Sequence, residues 1–185
     1  ASTYMRGLRF GFVATTLLAQ VDASVGGKNG VNYEGYKNMV GTFNQPDFVL
    51  CDLSMLQTLP DREFRAGLAE IIKAGLIADR GLFELFENHP IDAFRNDQSL
   101  LNEAITRAIR VKADVVERDE RESGERRKLN LGHTFAHAIE KCGNEFLHGE
   151  AVVIGTVMIA RLSAHLGTAT QDEADRVRRV FERMG

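Results

Sequence analysis

Two hydrophobic rhythms divide this chain. In the first fifty or so residues, apolar side chains come in short runs of strand length, Arg9-Phe10-Gly11-Phe12-Val13-Ala14 and Asp47-Phe48-Val49-Leu50-Cys51. The segment Gly26-Gly27-Lys28-Asn29-Gly30 and further glycines separate them, which predicts two short buried strands in an α/β segment. Two strands and a glycine loop do not complete a sheet domain, because parallel sheets need several strands covered on both faces. Ala1 is therefore expected to begin inside a domain.

After Pro60 the strand signals stop and helical periodicity runs to the last residue. Asp61 is placed to cap a helix reaching about Ala78, with Glu63 in the first turn, where an acidic side chain suits the positive end of the macrodipole. From Ser99 to Glu117, Leu100, Ala104, Ala108, Val111 and Val115 recur at three- and four-residue steps as one apolar stripe. Helices over Leu129–Lys141, Gly149–Leu166 and Asp172–Met184 complete the set. The last carries Glu173, Arg176, Arg178, Arg179, Glu182 and Arg183 around a seam of Ala174, Val177, Val180 and Phe181, the pattern of a surface helix. The expected fold class is an α/β segment followed by an all-α domain, mainly α overall, without internal repeats.

Composition narrows the function. With 44% hydrophobic residues in 185, the chain can build a core. A formal net charge of −3 with mixed signs argues against a nucleic-acid surface, yet local lysines and arginines leave room for a small anionic metabolite. The longest apolar stretch, Ala151 to Ala160, is interrupted by Gly155 and Thr156 and falls short of the ~20 residues a membrane span needs, so it reads as a buried helix and no membrane partner is expected. Cys51 and Cys142 read as buried free thiols, and with no signal-peptide pattern at the N-terminus a cytoplasmic location is expected.

The chemistry-bearing residues then stand out. Glu70, His133 and His148 are of the types that bind zinc through oxygen or nitrogen, and a catalytic zinc takes three protein ligands and keeps one position open. Glu70 and Lys73 share a helix face; a surface ion pair is the plain reading, but Leu68, Ala69, Ile71, Ile72, Ala74, Leu76 and Ile77 surround them, and buried charges need a partner or a metal. His133 and His137 have the four-residue spacing that lets two imidazoles reach one ion, although one core and one solvated histidine is the usual outcome. His148 follows within sixteen positions of His133, and the chain has only five histidines; His89 and His165 read as structural or exposed. Asp22, Lys28, Lys37 and Asn38 flank the glycine-rich loop, which lacks P-loop spacing and is either an anion cradle or an ordinary turn. Glu117–Lys128 holds ten charges in twelve positions, a run that is usually solvated; Glu122 and Arg126 are the members placed to project over the proposed metal site.

These motifs together resemble the 3-dehydroquinate synthase family, through TTLLAQVDASVGGK, Tyr36-Lys37-Asn38, FNQP, TLPDREFRAGLAEIIK, DERESGERRKLNLGHTFAHAIE and LHGEAV, in that order along the chain. The resemblance implies a remnant of an N-terminal α/β nucleotide-binding domain over 1–59 and a helical metal- and substrate-binding domain over 60–185, with NAD and a divalent metal, zinc or cobalt, between them. It implies Glu70, His133 and His148 as metal ligands, which moves His137 from the metal to the substrate phosphate. Arg6, Asp22, Lys28, Lys73, Lys112, Glu122, Arg126, Asn130 and His137 fall where the family contacts substrate, Arg6 from a neighbouring subunit of a homodimer. Of these, His137, Lys28, Lys73, Arg126 and Asn130 are the implied catalytic residues. Lys28, Lys37, Asn38 and Thr58 fall along the NAD side. Ala136 replaces a glycine common in the motif, and the family's glycine-rich pyrophosphate signature is not among these residues, so an internal piece of a longer enzyme is expected. The implied reaction converts 3-deoxy-D-arabino-heptulosonate 7-phosphate to 3-dehydroquinate and phosphate in the shikimate pathway. A cyclase making an inosose or valiolone, a metal-dependent polyol dehydrogenase and an inactive helical interaction module are the alternatives.

Overall fold

The computed structural model describes every residue except Asn144 and Gly185, and only the backbone of Lys37. Four short strands precede seven α-helices among the described residues: β1 (Phe12–Ala14), β2 (Lys28–Tyr33), β3 (Tyr36–Phe43), β4 (Val49–Cys51), then α1 (Asp61–Ala78), α2 (Arg80–Asn88), α3 (Ile91–Asn96), α4 (Gln98–Arg118), α5 (His133–Cys142), α6 (His148–His165) and α7 (Gln171–Glu182). The chain is mainly helical, as its periodicity predicts.

α1 is the central helix. From Ala66 to Gly75 it is buried all round, and Leu68, Ile71 and Ile72 meet Leu82 and Phe86 of α2, Phe94 of α3, Ala104, Ile105 and Ala108 of α4, and Val180 and Phe181 of α7 in one core. Each fully buried aliphatic or aromatic side chain contributes about 1.5–3 kcal/mol, so the core makes α1 a firm mount for whatever it carries. Phe86 and Phe94 stack at 4.2 Å between centroids with planes 9° apart. Asp79 accepts from the Leu82 N–H at the start of α2, and Asp97 accepts from the Ser99 and Leu100 N–H groups at the start of α4. Thr170 and Glu173 close α7 with a reciprocal capping box.

The first fifty residues differ from expectation. The two predicted strands are present as β1 and β4 and pair in parallel, but Val13, Phe48 and Leu50 are exposed, because no further strand or helix covers that two-stranded sheet among the described residues. The glycine-rich segment opens an antiparallel hairpin, β2 with β3, rather than a loop. Its two-residue turn has Glu34 at φ 48° and Gly35 at φ 81°, the left-handed pair that matches strand twist. Gln20, fully buried in a π-turn (Ala19–Ala23), donates to the Ala14 and Asp52 carbonyls and so holds β1 to the chain after β4.

Smaller departures have local causes. α2 and α3 are helices the periodicity left unassigned, both short at nine and six residues. Pro60, not Asp61, occupies the cap of α1; Asp61 instead lies 3.5 Å from Arg65 and 3.6 Å from Arg95. α5 starts at His133, since a 3-10 turn (Glu125–Asn130) and Gly132 at φ 78° precede it. α6 buries Ala151, Val152, Gly155 and Thr156 on one side only and exposes Met158 and Leu162 on the other. Both cysteines are free, but Cys142 is exposed and Cys51 half-buried, because the end of α5 is open to water.

Candidate metal centre and its charged surroundings

Glu70 sits at the middle of α1, 4% exposed, and its Oε2 pairs with Lys73 Nζ at 2.5 Å one turn on. Oε1 of the same carboxylate is buried and accepts no hydrogen bond. It faces His148 Nε2 at 3.4 Å and His133 Nε2 at 4.0 Å. One ligand atom from each of Glu70, His133 and His148 falls within 4.8 Å of the others, the span of ligands around a single cation.

Both imidazoles are turned the same way. His133 Nδ1 lies 3.2 Å from the Leu131 carbonyl, and His148 Nδ1 lies 3.2 Å from Glu140 Oε1. Since a carbonyl and a carboxylate only accept, Nδ1 carries the proton in each ring and the Nε2 lone pairs converge on Glu70. An acceptor-only oxygen facing two lone pairs is a set of donors to a cation, and the residues present fit a divalent metal.

Several contacts hold His148 in place. It is the first residue of α6, and the Glu150 carboxylate accepts from the Leu147 N–H at 2.8 Å while taking a two-pronged bond from Arg62 of α1 at 2.6 and 2.7 Å. Gly149 permits the close approach of α6 to α1: a Cβ there would run into the Ala66 carbonyl.

Charge shapes the protonation states. Burial, the largest influence, opposes ionisation of Glu70, but Lys73 and the contact with His148 together outweigh it and hold the carboxyl below its usual range. Burial, helped by Lys73, pushes the His133 imidazole down, whereas contact with Glu70, helped by Glu140, pushes His148 up. Around this centre stand further pairs. Lys112 Nζ donates to both the carboxylate and the carbonyl of Asp22; burial would raise Asp22, yet Lys112, with Lys73 and His148, holds it at about 2. Lys28 pairs with Glu122, which also accepts from Asn130 Nδ2 at 2.6 Å.

The charged run is an organised loop. Asp119 accepts from the N–H groups of Ser123, Gly124 and Arg126 at 2.9, 2.7 and 3.0 Å, bonds that hold its carboxyl far below the usual range, led by that of Arg126. Glu122 does reach the Lys28 side. Arg126 does not project outward: it is 2% exposed and turned under the hairpin base, donating to the Gly26 carbonyl at 2.7 Å and the Glu120 carbonyl at 2.5 Å.

The other anticipated residues scatter. His137 is exposed one turn along α5, its ring 5.3 Å from that of His133, and it is not among the converging donors. Arg6, Asn38 and Thr58 are exposed on other elements, and among the described residues no hydrogen bond or ion pair joins their side chains to the cluster. The Lys37 side chain lies outside the described part. Glu140, Glu150 and Arg62 were not anticipated; the seven-residue step from His133 to Glu140, two helical turns, is the one sequence signal that points to the first of them.

A helical body around a three-donor centre, entered from a small α/β segment, is the fold of the sugar-phosphate cyclases. It superposes with TM-score 0.93 and 34% identity on 2-epi-5-epi-valiolone synthase from Streptomyces hygroscopicus, a structure with NAD+ and Zn2+ bound, covering all of this chain and 52% of that one. A 2-deoxy-scyllo-inosose synthase complexed with carbaglucose-6-phosphate, NAD+ and Co2+ matches with TM-score 0.85 and 26% identity over 99% of this chain and 51% of that one. Family descriptions of the 3-dehydroquinate synthase N-terminal and C-terminal parts match residues 1–66 and 67–185. Enzymes named 3-dehydroquinate synthase from Nitrosospira multiformis and Pseudomonas fluorescens are 54% and 55% identical over the whole chain and 51% of their own length. The chain belongs to the 3-dehydroquinate synthase family, and it spans about half the length of the curated relatives it matches.

Proposed function

We propose that this chain is the metal- and substrate-binding half of a cytoplasmic 3-dehydroquinate synthase of the shikimate pathway, a homodimer acting on 3-deoxy-D-arabino-heptulosonate 7-phosphate. The observation that carries the reading is the unpartnered Glu70 Oε1 facing the Nε2 atoms of His133 and His148, in a chain 54% identical to enzymes of that name. In this reading residues 1–59 belong to the nucleotide-binding domain and 60–185 to the helical domain.

Glu70, His133 and His148 would hold zinc or cobalt, which together with NAD supplies polarisation of the substrate hydroxyl and a reversible hydride acceptor. Lys73 neutralises Glu70 and keeps it ionised as a ligand. Lys28, Lys112 and Asn130 bind and orient the anionic substrate, exchanging their present partners Glu122 and Asp22 for its charged groups. Arg126 holds the Gly26 carbonyl and with it the loop that presents Lys28. His137, exposed next to the centre, holds the phosphate and is placed to pass a proton as it leaves. Arg6 reaches the partner's site, and Lys28, Lys37, Asn38 and Thr58 lie on the NAD side.

The test uses the whole protein. Phosphate release from 3-deoxy-D-arabino-heptulosonate 7-phosphate should require a divalent metal and vanish in His148→Ala. Retained turnover and metal stoichiometry in that variant would overturn the ligand assignment. Turnover of another sugar phosphate in its place would make it a different cyclase, and net accumulation of NADH would make it a dehydrogenase.

A further inference from the structure

His133 and His148 both aim Nε2 at Glu70, but they are held by different means. His133 is the first residue of α5, and its Nδ1–H meets a main-chain carbonyl, Leu131, two residues back. The backbone itself sets that ring. His148 has no such carbonyl: its Nδ1–H meets the carboxylate of Glu140, whose side chain is 10% exposed, at 3.2 Å. Glu140 stands two turns after His133 on the same face of α5, so one helix supplies a ligand directly and, through Glu140, the orientation of the next ligand on α6.

We propose that Glu140 is a positioning residue of the metal centre, holding the His148 imidazole so that Nε2 turns to the cation while lending that ring the basicity a main-chain carbonyl lends less well. The inference rests on the metal-centre reading given above. A carboxylate behind a ligating histidine fixes the tautomer, restricts ring rotation and strengthens the donor, and loss of such a partner weakens metal binding about 10–100-fold. The Glu70 carboxylate alone does not orient the ring: Nε2 lies 3.4 Å away, and Oε1 accepts no hydrogen bond.

The experiment is a Co2+ titration of the whole protein followed by visible absorption, with Zn2+ competition, on the wild type and on Glu140→Gln, Glu140→Ala and Glu70→Gln. Glu140→Gln keeps the acceptor and shape but removes the charge, and is expected to bind Co2+ about tenfold more weakly; Glu140→Ala should approach a hundredfold. The saturated spectrum of Glu140→Ala should also change, reporting a reoriented imidazole, which a general loss of packing would not produce in a chain of unchanged circular dichroism. Unaltered affinity and spectrum in both Glu140 variants, with Glu70→Gln abolishing binding, would overturn the role of Glu140 and leave the centre intact. A wild type that binds no Co2+ would overturn the centre itself and this inference with it.

Discussion

The centre and the hairpin beside it carry charge under opposite conditions. Glu70 and Lys73 stand on a helix whose neighbours Leu68, Ile71 and Ile72 are wholly buried, whereas Lys28 stands on a hairpin whose Tyr33, Tyr36 and Met39 are 60%, 69% and 75% exposed. In the first region packing sets the donor positions, and each charge depends on its partner because both side chains are buried. In the second, among the described residues, three polar ties join the hairpin and its flanks to the charged loop: Lys28 with Glu122, Gln45 with Glu120 at 3.0 Å, and Arg126 with the Gly26 carbonyl. In the reading proposed above, the buried set would serve as a preorganised cation site and the exposed edge as an adjustable anion-binding one.

That contrast is most directly broken at Glu70. Glu70→Ala strands the Lys73 charge in the core, and a loss of about 3–5 kcal/mol is expected in urea unfolding. A loss under about 1 kcal/mol would mean that the pair is effectively solvated. Next in size is Gly149→Ala, which drives a methyl against the Ala66 carbonyl and pushes α6 from α1. About 1–3 kcal/mol should be lost, with Co2+ affinity falling at the same time, since His148 is displaced with the helix.

Asp22 tests the ground between the two regions, its pair being one-third open to water on the carboxylate side. Its carboxyl is lowered from 3.8 to about 2 in the folded state, so its contribution is fully present above the unfolded value and is lost as pH falls through about 2. The stability gap between wild type and Asp22→Asn should be of order 1 kcal/mol at neutral pH, after solvent screening, and should close between about pH 4 and pH 2. A gap that persists unchanged to pH 2 would remove ionisation of Asp22 beside Lys112 and Lys73 as the cause. The smallest effect belongs to the edge: Glu122→Gln should change stability by less than about 1 kcal/mol, and added salt should erase the difference. A cost like that of Glu70→Ala would make the hairpin as rigid as the core.

Legibility followed the range of the interactions. The long helices were readable because burial of one face imprints a three-to-four-residue period, as Leu100, Ala104, Ala108, Val111 and Val115 show in α4. The hairpin was not, because its strands are exposed on both sides and bear no alternation; only Glu34-Gly35 marks the turn. Arg126 reads as one more charge in a polar run, and its burial under Gly26 follows from the turn that Asp119 organises.

By itself the amino-acid sequence determined the long helices, the two short strands and the inventory of donors, since periodicity and residue chemistry are local properties. Which donors meet was decided by tertiary structure. Glu70, His133 and His148 are separated by 63 and 15 positions along the chain and converge because Gly149 lets α6 close on α1, Arg62 clasps Glu150, and Glu140 turns one ring to face the other. Such convergence depends on distances between helices, and no local pattern encodes them.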